Sequence, residues 1–354
     1  MSRIEARFRG TLGAFALDAE FDMPGRGVTA LFGPSGSGKT SLLRLVAGLA
    51  RTPGRLVVNG EVWQDEKRFV PTHRRALGYV FQEASLFPHL SVRGNLEYGW
   101  KRVPPGLRTL NRDDVIGWLG LESLIDRSPH RLSGGQRQRV AIGRALLSCP
   151  RLLLMDEPMA ALDANARAEI LPYLERLHRE LALPVLYVSH ALEEVARLAD
   201  HLLLIEGGRI GYQGPLAEGM TRLDLPLAHR DIAATVLDAV VVGQDAELQL
   251  TRVASGSVEL ELAGLHGSPG KPLRVRVAAR DVSLTLTMPQ QTSILNLLPA
   301  QVVELAEDAP GQVLVKLALG ETPLLARITR KSARQLNLEP GTPVIAQVKS
   351  VAVA

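Results

Sequence analysis

The chain has 354 residues, enough for two domains, since one domain usually takes roughly 100 to 200. Its 41 Lys and Arg against 37 Asp and Glu give a formal net charge of +4 and a pI near 9.4. The basic residues are scattered singly among apolar ones and form no dense block, which argues against a nucleic-acid partner. Cys149 is the only cysteine, which excludes an intrachain disulfide and a Cys-based zinc site, and its neighbours Leu146, Leu147 and Pro150 suggest a buried structural thiol.

The N-terminal stretch MSRIEARFRGTLGAF lacks the continuous apolar core of a secretion signal, so the chain is expected in the cytosol. Its best apolar runs, Leu152 to Met155 and Leu202 to Ile205, fall far short of the roughly 20 residues that span a bilayer. Any membrane role would run through partners. Val28 to Phe32 (VTALF) reads as a strand and Thr40 to Leu49 as the helix that follows. Between Phe87 and Pro129 the pattern turns helical, with turn signals at Pro104, Pro105 and Gly106. Arg151 to Asp156 and Val185 to Ser189 read as buried strands, and Ala164 to Leu181 as a helix. Strands alternating with helices predict an α/β core over 1–228 with a helical insertion at about 87–130. From Thr235 onward, short alternating runs such as SVELELAG and QVLVKLAL, punctuated by Gly, Pro and Asp, predict a small all-β domain. A joint at Pro289 to Ser293 divides it into a first β subdomain, 229–289, and a second, 290–354.

Gly33 to Thr40 reads GPSGSGKT, directly after a strand and at the start of a helix. In that context the sequence predicts a P-loop. Gly33, Gly36 and Gly38 allow the tight backbone path, and Pro34, Ser35, Ser37 and Ser41 complete a cradle whose N–H groups face phosphates. Lys39 is expected to reach the β and γ phosphates of ATP, and Thr40 to offer its hydroxyl to Mg²⁺. Leu152 to Glu157 (LLLMDE) is an apolar strand ending in adjacent carboxylates. Asp156 is expected to hold Mg²⁺ and Glu157 to polarise the attacking water.

Leu132 to Gln136 reads LSGGQ, and with QRVAIGRAL on the expected helix it resembles the signature of the ABC ATPases. The resemblance implies that Ser133, Gly134, Gly135 and Gln136 close over ATP bound to a second copy, in a head-to-tail homodimer. It further implies that Gln82 in YVFQ is the Q-loop glutamine near Mg²⁺ and water, that His190 in YVSHALEE is the switch histidine that contacts the γ phosphate, and that Asp163 in MAALD is the D-loop aspartate. Two positions depart from the family pattern. Ala160 and Ala161 stand where a small hydroxyl residue is usual, and the adenine-stacking aromatic is replaced by Leu12, with Phe15 nearby.

Phe87 to Asn95 (FPHLSVRGN) resembles the importer pattern that meets permease subunits. In the tail, QQTSILNLL at 290–298, ARIT at 326–329 and AQVKSV at 346–351 resemble the Mop-type oxyanion domain. The whole chain therefore resembles the ATP-binding subunits of molybdate ABC importers. That implies a peripheral protein on the cytoplasmic face of the inner membrane, bound to integral-membrane permeases and fed by a periplasmic molybdate-binding protein. Ser293, Lys349 and Ser350 are the candidate donors for molybdate or tungstate, and Leu295 replaces an arginine common in that family. Motors for sulfate, sugar or polyamine importers, and a soluble nucleic-acid-linked ABC ATPase, are the alternatives at this point.

Overall fold

A computed structural model of the chain describes residues 2–13, 15–229 and 233–353. It divides into two compact units, Met1–Gly214 and Pro215–Ala354.

The first unit opens with a layer absent from the sequence expectations. Strands β1 (Arg3–Leu12) and β2 (Phe15–Pro24) form an antiparallel hairpin. Alternate residues Ile4, Ala6 and Phe8 of β1 point inward against Leu17, Ala19, Phe21 and Met23, the period of a half-buried strand. With β4 (Gly54–Val58) and β5 (Glu61–Gln64) they make a sheet in the order β2-β1-β4-β5.

The second sheet carries the chemistry. Its order is β10-β9-β3-β8-β7-β6, from β3 (Gly27–Phe32), β6 (Leu77–Val80), β7 (Leu152–Asp156), β8 (Pro184–Ser189), β9 (His201–Glu206) and β10 (Arg209–Pro215). Residues 28–32 of β3 and every residue of β7 and β8 are buried, as strands covered on both faces must be. The β6–β7, β7–β8, β8–β3 and β3–β9 pairings are all parallel. Parallel pairing puts the carboxyl ends of β3, β6, β7 and β8 on one side, where an open α/β sheet binds its ligands.

Helix α1 (Lys39–Ala47) follows β3 and stops at Gly48, whose φ of 76° suits glycine. The Arg75 guanidinium seals that end, donating to the Leu45 and Val46 carbonyls at 3.1 and 2.6 Å. The helical insertion holds α2 (Val92–Trp100) and α3 (Arg112–Trp118), capped by Ser91 and Asn111, and leads into α4 (Gly134–Leu146). Asn95, fully buried, ties Phe87 N and the carbonyls of Phe87, Leu90 and Ser91 together, so FPHLSVRGN is a stitched turn rather than loose chain. Cys149 is half-buried, not buried as its apolar neighbours suggested. It takes a φ of 50° in the turn after α4, between that helix and β7. Helices α5 (Ala164–Glu180) and α6 (Leu192–Leu198) follow β7 and β8. Among the described residues no helix is long and apolar enough to cross a membrane.

The second unit begins at Pro215, ahead of the boundary expected at 228, because α7 (Leu216–Thr221) and the turns after it belong to its core. Leu223 and Ala228 pack with Ala279, Leu314 and Leu325. One five-stranded sheet runs β13-β12-β11-β14-β20, from β11 (Ala234–Asp245), β12 (Leu250–Ser255), β13 (Val258–Ala263), β14 (Pro272–Ala278) and β20 (Ala352–Val353). The other runs β15-β19-β16-β17-β18, from β15 (Val282–Thr285), β16 (Asn296–Glu307), β17 (Gln312–Leu319), β18 (Thr322–Thr329) and β19 (Pro343–Val348), with α8 (Arg330–Gln335) after β18. The joint expected at 289 does not separate two cores. Val241, Val253, Leu260 and Val277 share one cluster with Val302, Leu317, Leu324 and Val348. Two strands also cross the joint: β15 pairs with β19 in the second sheet, and β20 with β14 in the first.

Candidate ATP site

Four parallel strands deliver the site residues at their carboxyl ends: β3 leads to Gly33, β6 to Gln82, β7 ends in Asp156 followed by Glu157, and β8 ends in Ser189 followed by His190. The P-loop turns because its glycines permit it. Gly36 and Gly38 take φ of 78° and 101°, backbone that other residues adopt at a cost. A Cβ on Gly33 would meet the Ile205 carbonyl at 2.1 Å, and one on Gly38 would meet the Phe15 ring at 2.6 Å. The Phe15 ring thus packs on the loop. Ser37 N donates to Pro34 O at 3.2 Å, and Ser37 Oγ is buried with no hydrogen-bond partner among the described residues. An orphaned hydroxyl in a glycine-rich loop at the start of a helix is suited to an anion.

Lys39 is only 6% exposed, and its ammonium donates to the carbonyls of Gly33 and Pro34 at 3.0 and 2.9 Å. Burial pushes its pKa down, against the upward pull of Glu157 and Asp156. It rests on its own loop with a third N–H to spare. Asp156, 7% exposed, is held at both oxygens: Oδ1 accepts from Thr40 Oγ1 at 3.0 Å, and Oδ2 from the Tyr79 hydroxyl at 3.1 Å. Burial raises its pKa, opposed by those two hydrogen bonds, while Glu157 raises it further. One carboxylate oxygen beside one hydroxyl is the hard-oxygen set that suits Mg²⁺, which takes few protein ligands and completes its shell with phosphate and water. Tyr79 escaped the sequence reading. In YVFQ only the glutamine carries a recognisable signal, and a tyrosine in a buried strand looks like core until its hydroxyl partner is seen.

Glu157 sits at φ 44°, an unusual conformation for a non-glycine residue, fixed by its own N–H donating to Val188 O at 3.0 Å. That link orients its side chain toward β8, where Glu157 Oε2 and His190 Nδ1 lie 3.1 Å apart. The pair is partly open to solvent, with side-chain exposures of 22% and 57%, so water reaches the carboxylate. The structure therefore joins Lys39, Thr40, Asp156, Glu157 and His190 around the P-loop.

The remaining predicted residues lie elsewhere, some in the same unit and some in the second. Ser133 caps α4 through a reciprocal pair: Gln136 N donates to Ser133 Oγ at 3.2 Å, and Ser133 N to Gln136 Oε1 at 3.1 Å. Ser133 is exposed, whereas Gly134 and Gly135 lie close to the next segment: a Cβ on Gly134 would meet Leu162 Cδ2 at 3.0 Å, and one on Gly135 the Ala166 carbonyl at 3.6 Å. Gln82 is exposed and lines an open cleft of about 470 Å³ with Pro88, His130, Gly134 and Leu162; it stands outside the hydrogen-bonded Thr40–Asp156–Tyr79 set. Gln138 of α4 donates to Phe81 O at 3.3 Å beside it. Asp163 caps α5, accepting from Ala166 N at 2.8 Å. In the second unit, Ser293, Lys349 and Ser350 are all exposed, at the end of the β16–β19 ladder where Asn296 faces Val348. Asn296 itself is committed to the backbone of Glu261, at 2.7 and 3.0 Å, and Leu295 is 60% exposed.

Comparison with known proteins agrees with this geometry. A family model described as "ABC transporter" matches residues 17–160, and one described as "TOBE domain" matches 292–354. The molybdenum import ATP-binding protein ModC of Thiobacillus denitrificans is 59% identical over 353 residues, covering 99% of this chain and 97% of that protein. ModC 1 of Azotobacter vinelandii is 56% identical, covering 99% and 98%, and ModC of Pseudomonas aeruginosa 54% identical, covering 100% and 99%. The solved structure of cbiO1 from Clostridium perfringens, part of the ABC transporter complex cbiONQ, superposes with a TM-score of 0.52 at 27% identity over 61% of this chain and 89% of that one. With that fold, that nucleotide site and that near-complete match, the chain belongs to the molybdenum import ATP-binding proteins, the ABC-transporter ATPases that carry a TOBE domain.

Proposed function

We propose that this chain is the ATP-hydrolysing subunit that energises molybdate import through an ABC transporter. What supports hydrolysis is the chain of contacts from Thr40 through Asp156 to the adjacent Glu157 and on to His190. Lys39 exchanges its loop carbonyls for the β and γ phosphates, so the charge it already holds buried is spent on the nucleotide. Thr40 and Asp156, with Gln82, would hold Mg²⁺, which neutralises charge on the phosphates. Glu157 accepts a proton from the attacking water, and His190 bears on the γ phosphate and orients the Glu157 carboxylate. Ser133, Gly134, Gly135 and Gln136 serve the nucleotide of a second copy, so the working form is a head-to-tail homodimer.

The stitched segment 87–95 faces permease subunits, and a periplasmic binding protein delivers the cargo; the chain works as a peripheral protein on the cytoplasmic face of the membrane. Molybdate as cargo is supported by the relatives' names and near-complete coverage. Ser293, Lys349 and Ser350 are the positions where the tail would meet the oxyanion or tungstate. Two measurements test this. Glu157→Gln with ATP should accumulate a dimer in light scattering, and a variant that stays monomeric would remove the paired-site reading. Vesicles containing the chain and its permease should take up radiolabelled molybdate only with ATP.

A further inference from the structure

Behind His190 lies a carboxylate with no part in the steps above. Glu194, on α6, is 5% exposed, and burying a charge is costly unless it is hydrogen-bonded. A single oxygen, Oε2, accepts from the Tyr187 and Ser189 hydroxyls, each at 2.8 Å. Burial first, and the charge of Glu194 second, push the Tyr187 pKa up, so that hydroxyl stays a donor. Ser189 Oγ also accepts from Ala191 N at 3.0 Å. The serine before His190 and the amide after it are thus tied into one turn, and Glu194 anchors that turn from below. The second oxygen, Oε1, lies 3.7 Å from Arg167 Nε, and Arg167 donates to Leu162 O at 3.1 Å. Leu162 immediately precedes Asp163, whose own carbonyl accepts from Arg167 N. One carboxylate therefore serves two segments, one oxygen for each.

We infer that Glu194 is a positioning residue: it fixes the Ser189–Ala191 turn that presents His190, and through Arg167 it couples that turn to the backbone at Leu162 and Asp163. The inference rests on His190 contacting the γ phosphate. Its consequence is directional. A displacement of His190 by the γ phosphate would be passed to the segment before α5 without crossing the P-loop.

The test uses the full-length chain and two nucleotides, AMP-PNP and ADP, with His190→Ala as reference. Ser189→Ala should raise the Kd for AMP-PNP about tenfold, the loss of one hydrogen bond to a charged group, and leave that for ADP unchanged. Glu194→Ala should do the same or fail to fold, because it strands the Tyr187 hydroxyl; Ser189→Ala keeps the test open in that case. Glu194→Gln, which preserves an acceptor for both hydroxyls, should restore AMP-PNP selectivity. The Arg167 contact is longer, so the coupling is the smaller effect: Arg167→Ala and Ser189→Ala should be non-additive in kcat by about threefold. If His190→Ala weakens AMP-PNP binding selectively while Ser189→Ala does not, the positioning role is overturned alone. Equal losses of AMP-PNP and ADP binding would also overturn it, as a merely structural effect. If His190→Ala itself is neutral, the γ-phosphate role of His190 falls, and this inference with it.

Discussion

The candidate ATP site of the first unit and the positions proposed for an oxyanion in the second are built on opposite plans. Around the P-loop the functional side chains hold one another: Thr40 and Tyr79 grip Asp156, Glu157 meets His190, and Lys39 rests on its own loop. At the end of the β16–β19 ladder, Ser293, Lys349 and Ser350 stand exposed, and a buried polar residue nearby, Asn296, is spent on the backbone of Glu261. A site whose donors are fixed before the ligand arrives loses little entropy on binding it, whereas single exposed donors must be ordered by the ligand itself. Strong catalysis is therefore expected from the first region and weak, additive recognition from the second.

The largest test of that contrast is Glu157→Gln, which should lower ATP turnover by about 10² to 10⁴ while ATP still binds; steady-state hydrolysis beside equilibrium binding measures both. Lys39→Ala should weaken ATP binding about 10²-fold, since it removes a buried cation with two hydrogen bonds. Tyr79→Phe removes one donor from Asp156 and should raise the Mg²⁺ concentration needed for half-maximal ATP binding about tenfold, with metal-free binding unchanged. An unaltered Mg²⁺ dependence would show that Asp156 needs no second hydroxyl.

Asp156 also carries a pH signature. Its folded pKa lies above the unfolded value, so the folded chain binds the extra proton and ligand-free stability falls as pH rises through the carboxylate range. Asp156→Asn should remove that part of the pH dependence and raise the neutral-pH Tm of the ligand-free chain, read by calorimetry. The smallest effect belongs to the tail: Lys349→Ala should change molybdate affinity by no more than about fivefold in titration calorimetry of the full chain, the scale of an exposed charge. A loss of 10²-fold there would mean that the exposed donors are organised as tightly as the ATP site.

The strands that carry the ATP site were legible because each is a short apolar run ending in its chemistry: VTALF before the P-loop, LLLMD before Glu157, and VLYVS before His190. Burial on both faces leaves that mark in local sequence. The β1–β2 hairpin was not recognised, although IEARF alternates cleanly, because charged residues on its outer face mask a half-buried strand. Tyr79 and Glu194 were missed for a related reason. Their roles lie in which hydroxyl or carboxylate they meet, and those partners are far off in the chain or around a turn. VSLT at β15 and AV at β20 carry almost no local signal, since the strands they pair with, β19 and β14, lie 60 or more positions away in the chain, as Thr285 opposite Ile345 and Arg276 opposite Ala352 illustrate.

That exchange of strands separates inheritance from folding. The stretch recognisable as a TOBE domain, 292–354, carries β20 away to another sheet and lacks β15, the edge of its own. A gene fusion or deletion cut at its border would tear both sheets at once, while a cut at Gly214–Pro215 would keep every strand of the β unit with its neighbours. The segment matched as a TOBE domain is thus only part of what has to fold.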